Sequence, residues 1–405
     1  MHSEDAVAWY SILMRHLWTL RAFYLLTGLS GGFFGPYLSL LLERDGFSSS
    51  AIGGAMSLAM VIAIVVQPLF GLLVDRFHAT RTTLALTFLV PAIFAFLYDQ
   101  QNFLLIVSVY ALSTLFSAPQ APIADAYAVG LARAYGTTYG TIRSFGSMGY
   151  ALGGYAGGLY LEHLSIHLLW LPYALLCVIG GAIAFFLPRE KPSSVVRGSI
   201  RQGMSTLLKN PRFVLFLLGG FLISETLTAF NTYFVLAFHE IGGSFADTGI
   251  ALFIASLTNV PAMLIAARVI RRVGREKTML IAATAYVVRW GVQVLIPIPS
   301  VAIAIQVLHG ISFGFFYVAA VGFVAQTTTR ELQATGQSIF GMVCNGLAGI
   351  GGNLVNGFLL RAGGPTLMYA VCAIAALFGA VCFLLVMRVK DAAVDTTKAL
   401  LDLSP

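Results

Sequence analysis

A few charged and hydrogen-bonding residues in this chain lie where charge is costly. Arg143 sits in Tyr139-Gly-Thr-Ile-Arg143-Ser-Phe-Gly-Ser-Met-Gly-Tyr150, inside a stretch otherwise apolar or small to about residue 160. An arginine keeps its proton, and in a membrane helix that charge costs roughly 2.5–3.5 kcal/mol on insertion scales. It needs a partner and a polar cavity. Asp125, 18 residues earlier and after Pro119-Gln-Ala-Pro122-Ile-Ala, is the natural counter-ion. A short loop would make their two helices antiparallel neighbours, and a guanidinium fork can hold a carboxylate bidentately. Burying an ion pair is a poor means of stabilisation, because desolvation offsets the attraction. The pair therefore reads as part of a binding site. Glu225, in Leu222-Ile-Ser-Glu225-Thr-Leu-Thr-Ala-Phe-Asn231, falls near mid-helix. Carboxyls at such depth serve proton relays, so Glu225 is the first candidate proton carrier and Asp125 the second. Arg289, His309 and the Asn231 amide complete the polar candidates, with Tyr150 as an aromatic face. Arg21 lies close enough to a helix start to reach the membrane surface along its own stem.

The elements that must position these groups are membrane helices. The chain is 58% hydrophobic and 10% charged, against roughly 25% charged in ordinary soluble domains; its mean hydropathy is +0.85. Twelve apolar segments are long enough to cross a hydrocarbon core of about 30 Å. They run over roughly 17–42, 50–73, 82–98, 103–125, 138–160, 167–187, 213–238, 248–267, 278–297, 300–325, 335–360 and 365–387. The expected fold class is an all-α integral membrane protein of twelve transmembrane helices. The polar N-terminus, with no small-residue cleavage site after the first apolar run, argues against a cleavable signal peptide. With that terminus inside, 19 of the 24 basic residues fall in cytoplasmic segments, which sets both termini in the cytoplasm of a multi-pass inner-membrane protein. The same bias accounts for the net charge of +7: it faces anionic lipid, and nucleic acid is not an expected partner. Cys177, Cys344, Cys372 and Cys382 all fall in apolar segments without metal-ligand spacing. Neither metal nor cofactor is expected, nor any enzyme activity, for want of a nucleotide loop, metal cluster or nucleophile–base motif.

The longest polar connection divides the chain into 1–187, an N-terminal six-helix half; 188–212, a cytoplasmic linker; and 213–405, a C-terminal six-helix half with a short cytoplasmic tail. The halves repeat. Gly71-Leu-Leu-Val-Asp75-Arg76-Phe-His-Ala-Thr-Arg81 follows the second segment, and Ala267-Arg-Val-Ile-Arg271-Arg272-Val-Gly-Arg-Glu-Lys277 follows the eighth. A shift of 196 residues places Arg76 on Arg272, Arg81 on Lys277 and Gly140 on Gly336. This loop resembles the signature of the major facilitator superfamily, whose two halves rock about a central site. The resemblance implies a conformational role for Gly71, Asp75, Arg76, Arg81, Arg272 and Lys277.

A narrower resemblance follows. Asp125 18 residues before Arg143, Tyr150 seven after it, Arg289 fifteen after Gly274 and His309 twenty after Arg289 are similar to the sugar site of the oligosaccharide–proton symporters of the lactose permease type. That resemblance implies solute binding by Asp125, Arg143, Tyr150, Arg289 and His309. Two acids of the pattern are replaced, at Ser256 and Ser312, and tyrosine stands where tryptophan is expected. The glycine-rich fifth and eleventh segments also resemble phenylpropionate-type permeases. The expected function is proton-coupled symport of a small polar solute, a sugar or glycoside or an aromatic acid, by a protein working as a monomer in the lipid bilayer. The alternatives are proton-driven export of amphiphiles and a non-transporting sensor on the same fold.

Overall fold

The computed structural model describes residues 3–77, 79–100, 102–188, 205, 207–328 and 332–389. Most of the expected linker 188–212, and the tail beyond residue 389, lie outside the described residues. Everything described is helix or short connection. The crossings run over Ser3–Arg44, Ser49–Phe77, Thr80–Phe94, Phe103–Ala134 in two pieces, Tyr139–His163 and Trp170–Phe185 in the first half. In the second half they begin at Pro211, Phe245, Arg275 and Pro299, followed by one long run from Gln333 to Arg388. Ten helical runs are long and apolar enough to span a bilayer. The glycine-rich fifth crossing is not among them, and the Thr335–Arg388 run holds two crossings. These are folded back at Gly363–Gly364, where Gly364 takes a φ of +66°, a conformation costly for residues with a Cβ. The fold is therefore twelve crossings.

The repeat is visible in the helix bounds. The second crossing, Ser49–Phe77, and the eighth, Phe245–Val273, are each 29 residues long, and both ends are offset by 196. The eighth begins at Ser244, whose hydroxyl accepts from the Asp247 N–H, and the seventh at Asn210, whose side chain accepts from the N–H groups of Arg212 and Phe213. Both satisfy donors orphaned by the helix start.

Proline or glycine stands at most of the departures from the apolar pattern. The fourth crossing breaks at Pro119, between Phe103–Ser117 and Gln120–Ala134. Asp125 thus lies inside the second piece and not, as the apolar run implied, at a helix end. The seventh crossing is interrupted after Asn231 and resumes as Phe234–Glu240. The third is short, Thr80–Phe94, and ends in a 3₁₀ turn, Ala95–Asp99. The tenth and eleventh contain π turns at Gly310–Phe315 and Met342–Leu347, wide turns that recur at functional sites.

Small residues set the closest approach. A Cβ on Gly28 or Gly32 of the first crossing would overlap the backbone of Gly146 or Tyr150; one on Gly149 or Gly153 would overlap the carbonyls of Leu25 or Leu29. The first and fifth helices therefore touch backbone to backbone, as close packing in lipid favours. The halves meet at the end away from the termini. There Glu162 accepts from the Ala246 N–H at 3.1 Å, placing a carboxylate at the positive start of the eighth helix. Arg44 lies over the Phe245 ring at 5.1 Å, and a Cβ on Gly158 would collide with Gly249. Ser57 donates to the Ile350 carbonyl at 2.9 Å, tying the second crossing to the eleventh.

Candidate functional site

Between the halves lies a cavity of about 510 Å³, whose wall combines Tyr24, Asp125, Arg143 and Tyr150 with Asn231, Asn259 and His309. Arg143 Nε stands 3.9 Å from Asp125 Oδ1, with the two side chains 46% and 38% exposed. Tyr24 donates to the same Asp125 oxygen at 2.7 Å, and its ring lies under the guanidinium at 5.9 Å. The geometry follows from the glycine contact: Tyr24 lies one turn before Gly28, and Arg143 lies one turn before Gly146 and Ser147, so close backbone approach brings their tips together. The resulting group is charge-balanced. It presents a guanidinium fork and a carboxylate, already anchored by one phenol, to an open space.

The other wall differs. Asn231, Thr232, Ser256, Asn259 and Asn353 line it with neutral hydrogen-bonding groups. Asn259 Oδ1 and His309 Nδ1 are buried and make no hydrogen bond, which leaves an acceptor and a ring nitrogen unpaired in residues that line the cavity. Such unpaired buried groups cost about 1–3 kcal/mol each until satisfied. The His309 ring packs on Phe230 at 4.6 Å and on Phe313 at 5.8 Å, and Phe313 continues to Tyr317 at 5.9 Å.

Residues 17–371 match the profile of the MFS_1 like family. The chain belongs to that family of the major facilitator superfamily. The transporter is 29% identical over 357 residues to a maltose permease of Geobacillus stearothermophilus, covering 87% of this chain and 90% of that one. It is 23% identical over 351 residues to a putative nucleoside transporter of Escherichia coli, covering 82% and 81%. Among solved structures, a point mutant of the nucleoside transporter NupG superposes with a TM-score of 0.80 at 19% identity, over 92% of this chain and 99% of the other. The fold is therefore that of the superfamily, and the protein is a secondary transporter of the membrane, not an enzyme.

The remaining candidates occupy distinct places. Arg289 is fully buried and does not line the cavity. It donates from Nη2 to Gln306 Oε1 at 2.6 Å, lies over Phe230 at 4.5 Å and Trp290 at 4.7 Å, and leaves Nε and Nη1 without hydrogen bonds. Phe230 thus stands between it and the solute space. Glu225 also sits off the cavity, at the contact of the seventh and eleventh crossings, where Asn356 donates to its Oε1 at 3.2 Å and to Thr228 Oγ1 at 2.8 Å. Cys372 completes this cluster by donating to Asn356 Oδ1 at 3.2 Å. Asn231 faces the cavity. Tyr37 and Tyr233 instead donate to the carbonyls of Gly154 and Asn353.

Arg76 and Arg272 lie in the last turns of the second and eighth crossings, Arg81 and Lys277 in the first turns of the third and ninth, and Gly71 six residues before the end of the second; the Asp75 side chain lies outside the described residues. The same region holds a pair that the motif did not announce, Arg212 with Glu276 at 2.6 Å, linking the seventh crossing to the ninth. Tyr24 was also unannounced, although Tyr24, Gly28 and Gly32 recur at fourfold spacing and so share one helix face.

Proposed function

We propose that the transporter is a proton-coupled symporter of an uncharged, hydroxyl-rich solute of the sugar or nucleoside class. The carrying observation is the charge balance of the cavity. Arg143 is already matched by Asp125, and Arg289, the cation that would favour a carboxylate-bearing solute, lies behind Phe230. What remains on the wall is neutral amides, hydroxyls and an imidazole, suited to solute hydroxyls, with Tyr150 and Phe313 as faces for a ring. This favours a neutral solute over an aromatic acid. Relatives named as maltose, lactose and nucleoside permeases support the same reading.

In this reading Asp125 and Arg143 hold solute hydroxyls from the N-terminal half, while Asn231, Asn259 and His309 hold it from the other. The basic-residue bias supports termini in the cytoplasm. Closure around Glu162, Arg44 and Phe245 then marks an inward-open state. Glu225 carries the coupling proton, and its charge decides whether the Asn356 bond between the seventh and eleventh crossings persists. Coupling requires proton and solute each to bind one conformation better than the other.

The test is purified transporter in proteoliposomes under an imposed pH gradient, with radiolabelled maltose and uridine as probes. Accumulation that collapses with the gradient is expected. Glu225→Gln should abolish accumulation while leaving solute exchange across equal pH intact. Undiminished accumulation by that variant removes Glu225 as the carrier, and accumulation without proton movement removes symport.

A further inference from the structure

The N-terminal half contains a second, smaller chamber of about 220 Å³, lined by the first, third, fourth and sixth crossings. It shares Thr27, Gly31, Gly35 and Tyr110 with the wall of the central cavity, so the two spaces adjoin across one face of the first helix. The glycines of that helix fall into two sets. Gly28 and Gly32 are needed for packing, since a Cβ on either would overlap the fifth helix. Gly31 and Gly35 are not: a Cβ on Gly35 would meet nothing within 4 Å, and one on Gly31 only Tyr150 Cδ2 at 4.0 Å. Their missing side chains leave the wall between the chambers thin.

The chamber's chemistry is uniform. Its wall carries the hydroxyls of Ser30, Thr87, Ser113, Thr114 and Ser117 and the Gln120 amide, with aromatic rings between them and no charged side chain. Ser113 is only 5% exposed, and its Oγ makes no hydrogen bond of normal geometry, although the Tyr98 hydroxyl is a neighbour. The Ser113 hydroxyl, with the Tyr98 hydroxyl as a neighbour, keeps capacity for a further donor or acceptor. The space equals the share of about seven liquid waters, enough for a ring and too small for a whole elongated solute.

We infer that this chamber is a subsite for an uncharged, hydroxyl-bearing ring, the distal unit of a two-ring solute whose first unit sits at Asp125 and Arg143. Gly31 and Gly35 form the window through which the two units are joined. The ring would offer its hydroxyls to Ser113 and to the remaining lone pair of Thr87 Oγ1, which donates to the Leu84 carbonyl and accepts from Gln120 Nε2, and lay a face on the surrounding aromatics. The inference rests on the proposed binding of neutral hydroxyl-rich solutes, and adds that length beyond one ring is recognised inside the N-terminal half.

Two arms test it. In proteoliposomes, glucose and maltose serve as one-ring and two-ring probes. Gly35→Val and Gly31→Val should weaken maltose uptake at least tenfold relative to glucose, and Ser113→Ala should weaken maltose alone by a smaller factor. Equal loss of both sugars, or of neither, overturns the subsite. Fluorescence-detected size exclusion establishes that each variant is folded. The second arm does not depend on transport. With Cys177, Cys344, Cys372 and Cys382 replaced by alanine, Thr114→Cys supplies a thiol in the chamber wall for a small methanethiosulfonate reagent. Labelling should occur from water, slow at least tenfold when Gly35→Val is added, and be blocked by maltose but not by glucose. A thiol that labels equally fast with the window filled, does not label at all, or is not protected by maltose counts against the inference. If neither sugar is carried by the wild type, the proposed function fails on that point and takes the maltose-protection readout with it, while labelling of Thr114→Cys from water and its slowing by Gly35→Val still decide whether the window joins the two chambers.

Discussion

Arg143→Lys separates the folding role of the Asp125 pair from its binding role. The pair is 3.9 Å apart with both side chains substantially exposed. Two unit charges at about 4 Å attract by about 1 kcal/mol in water, and exposed pairs measure roughly 0.2–1 kcal/mol once ordering and screening are included. Lysine keeps the charge, so the loss to the fold should stay below about 1 kcal/mol. Binding is different, because an ammonium cannot reproduce a planar fork. A hydrogen bond to a charged group contributes about 1.5–3 kcal/mol, and each 1.4 kcal/mol is about tenfold in affinity. Solute affinity should therefore fall by roughly 10–150-fold, with little change in thermal midpoint. The assay is equilibrium binding of the transported solute to purified protein, beside a thermostability scan of the same samples. Affinity retained within about threefold would refute the site. A large drop in midpoint would show that the pair is structural and that the exposed-pair estimate is wrong.

Two further outcomes are expected. Gly149→Ala puts a methyl against the Leu25 carbonyl, and overpacking of this kind costs about 1–3 kcal/mol; the midpoint should fall by several degrees, whereas Gly35→Ala, which meets nothing within 4 Å, should leave it unchanged. Equal effects would contradict the backbone contact between the first and fifth helices. Asp45, in the turn after the first helix, has its carboxyl pushed up from its ordinary value by burial, opposed by His167 and reinforced by Asp99. Its proton is bound more tightly in the folded state, so its contribution to stability is present at low pH and lost as pH rises through the carboxylate range and above. Asp45→Asn should accordingly raise the midpoint at pH 7 and make no difference below about pH 4, and a variant less stable than wild type at pH 7 would reverse the sign.

Hydropathy and charge made most of the architecture legible, because a bilayer enforces helices of a given length and sorts basic loops. The repeat was legible at Arg76 and Arg272, and the helix bounds carry the same offset. Asp125 with Arg143 could be paired by spacing alone, since an uncompensated charge restricts the choices. Three things were not legible. Apolar composition ends before the fourth helix does, so Asp125 read as terminal. Arg289 read as solute-facing because residue type reports charge but not the position of an intervening Phe230. Glu225 gave no sign of Asn356, which lies 131 residues away and is reached only through tertiary packing. The glycines were also ambiguous as letters: Gly28 and Gly31 differ in what surrounds them, and only the packed helices separate contact from open space.

The π turn at Gly310–Phe315 has a directional consequence. His309, Phe313 and Tyr317 follow one another at four-residue intervals, with interplanar angles of 12° and 24°. Four-residue spacing keeps such a series near one face of a helix, and here that face persists through the wide turn. The result is a rail of flat faces running from the middle of the tenth crossing toward the open end, where Tyr317 is 43% exposed. For the ring-bearing solute proposed above, these faces are successive stacking partners. One residue added or deleted within that turn would leave the helix helical and still derail the passage.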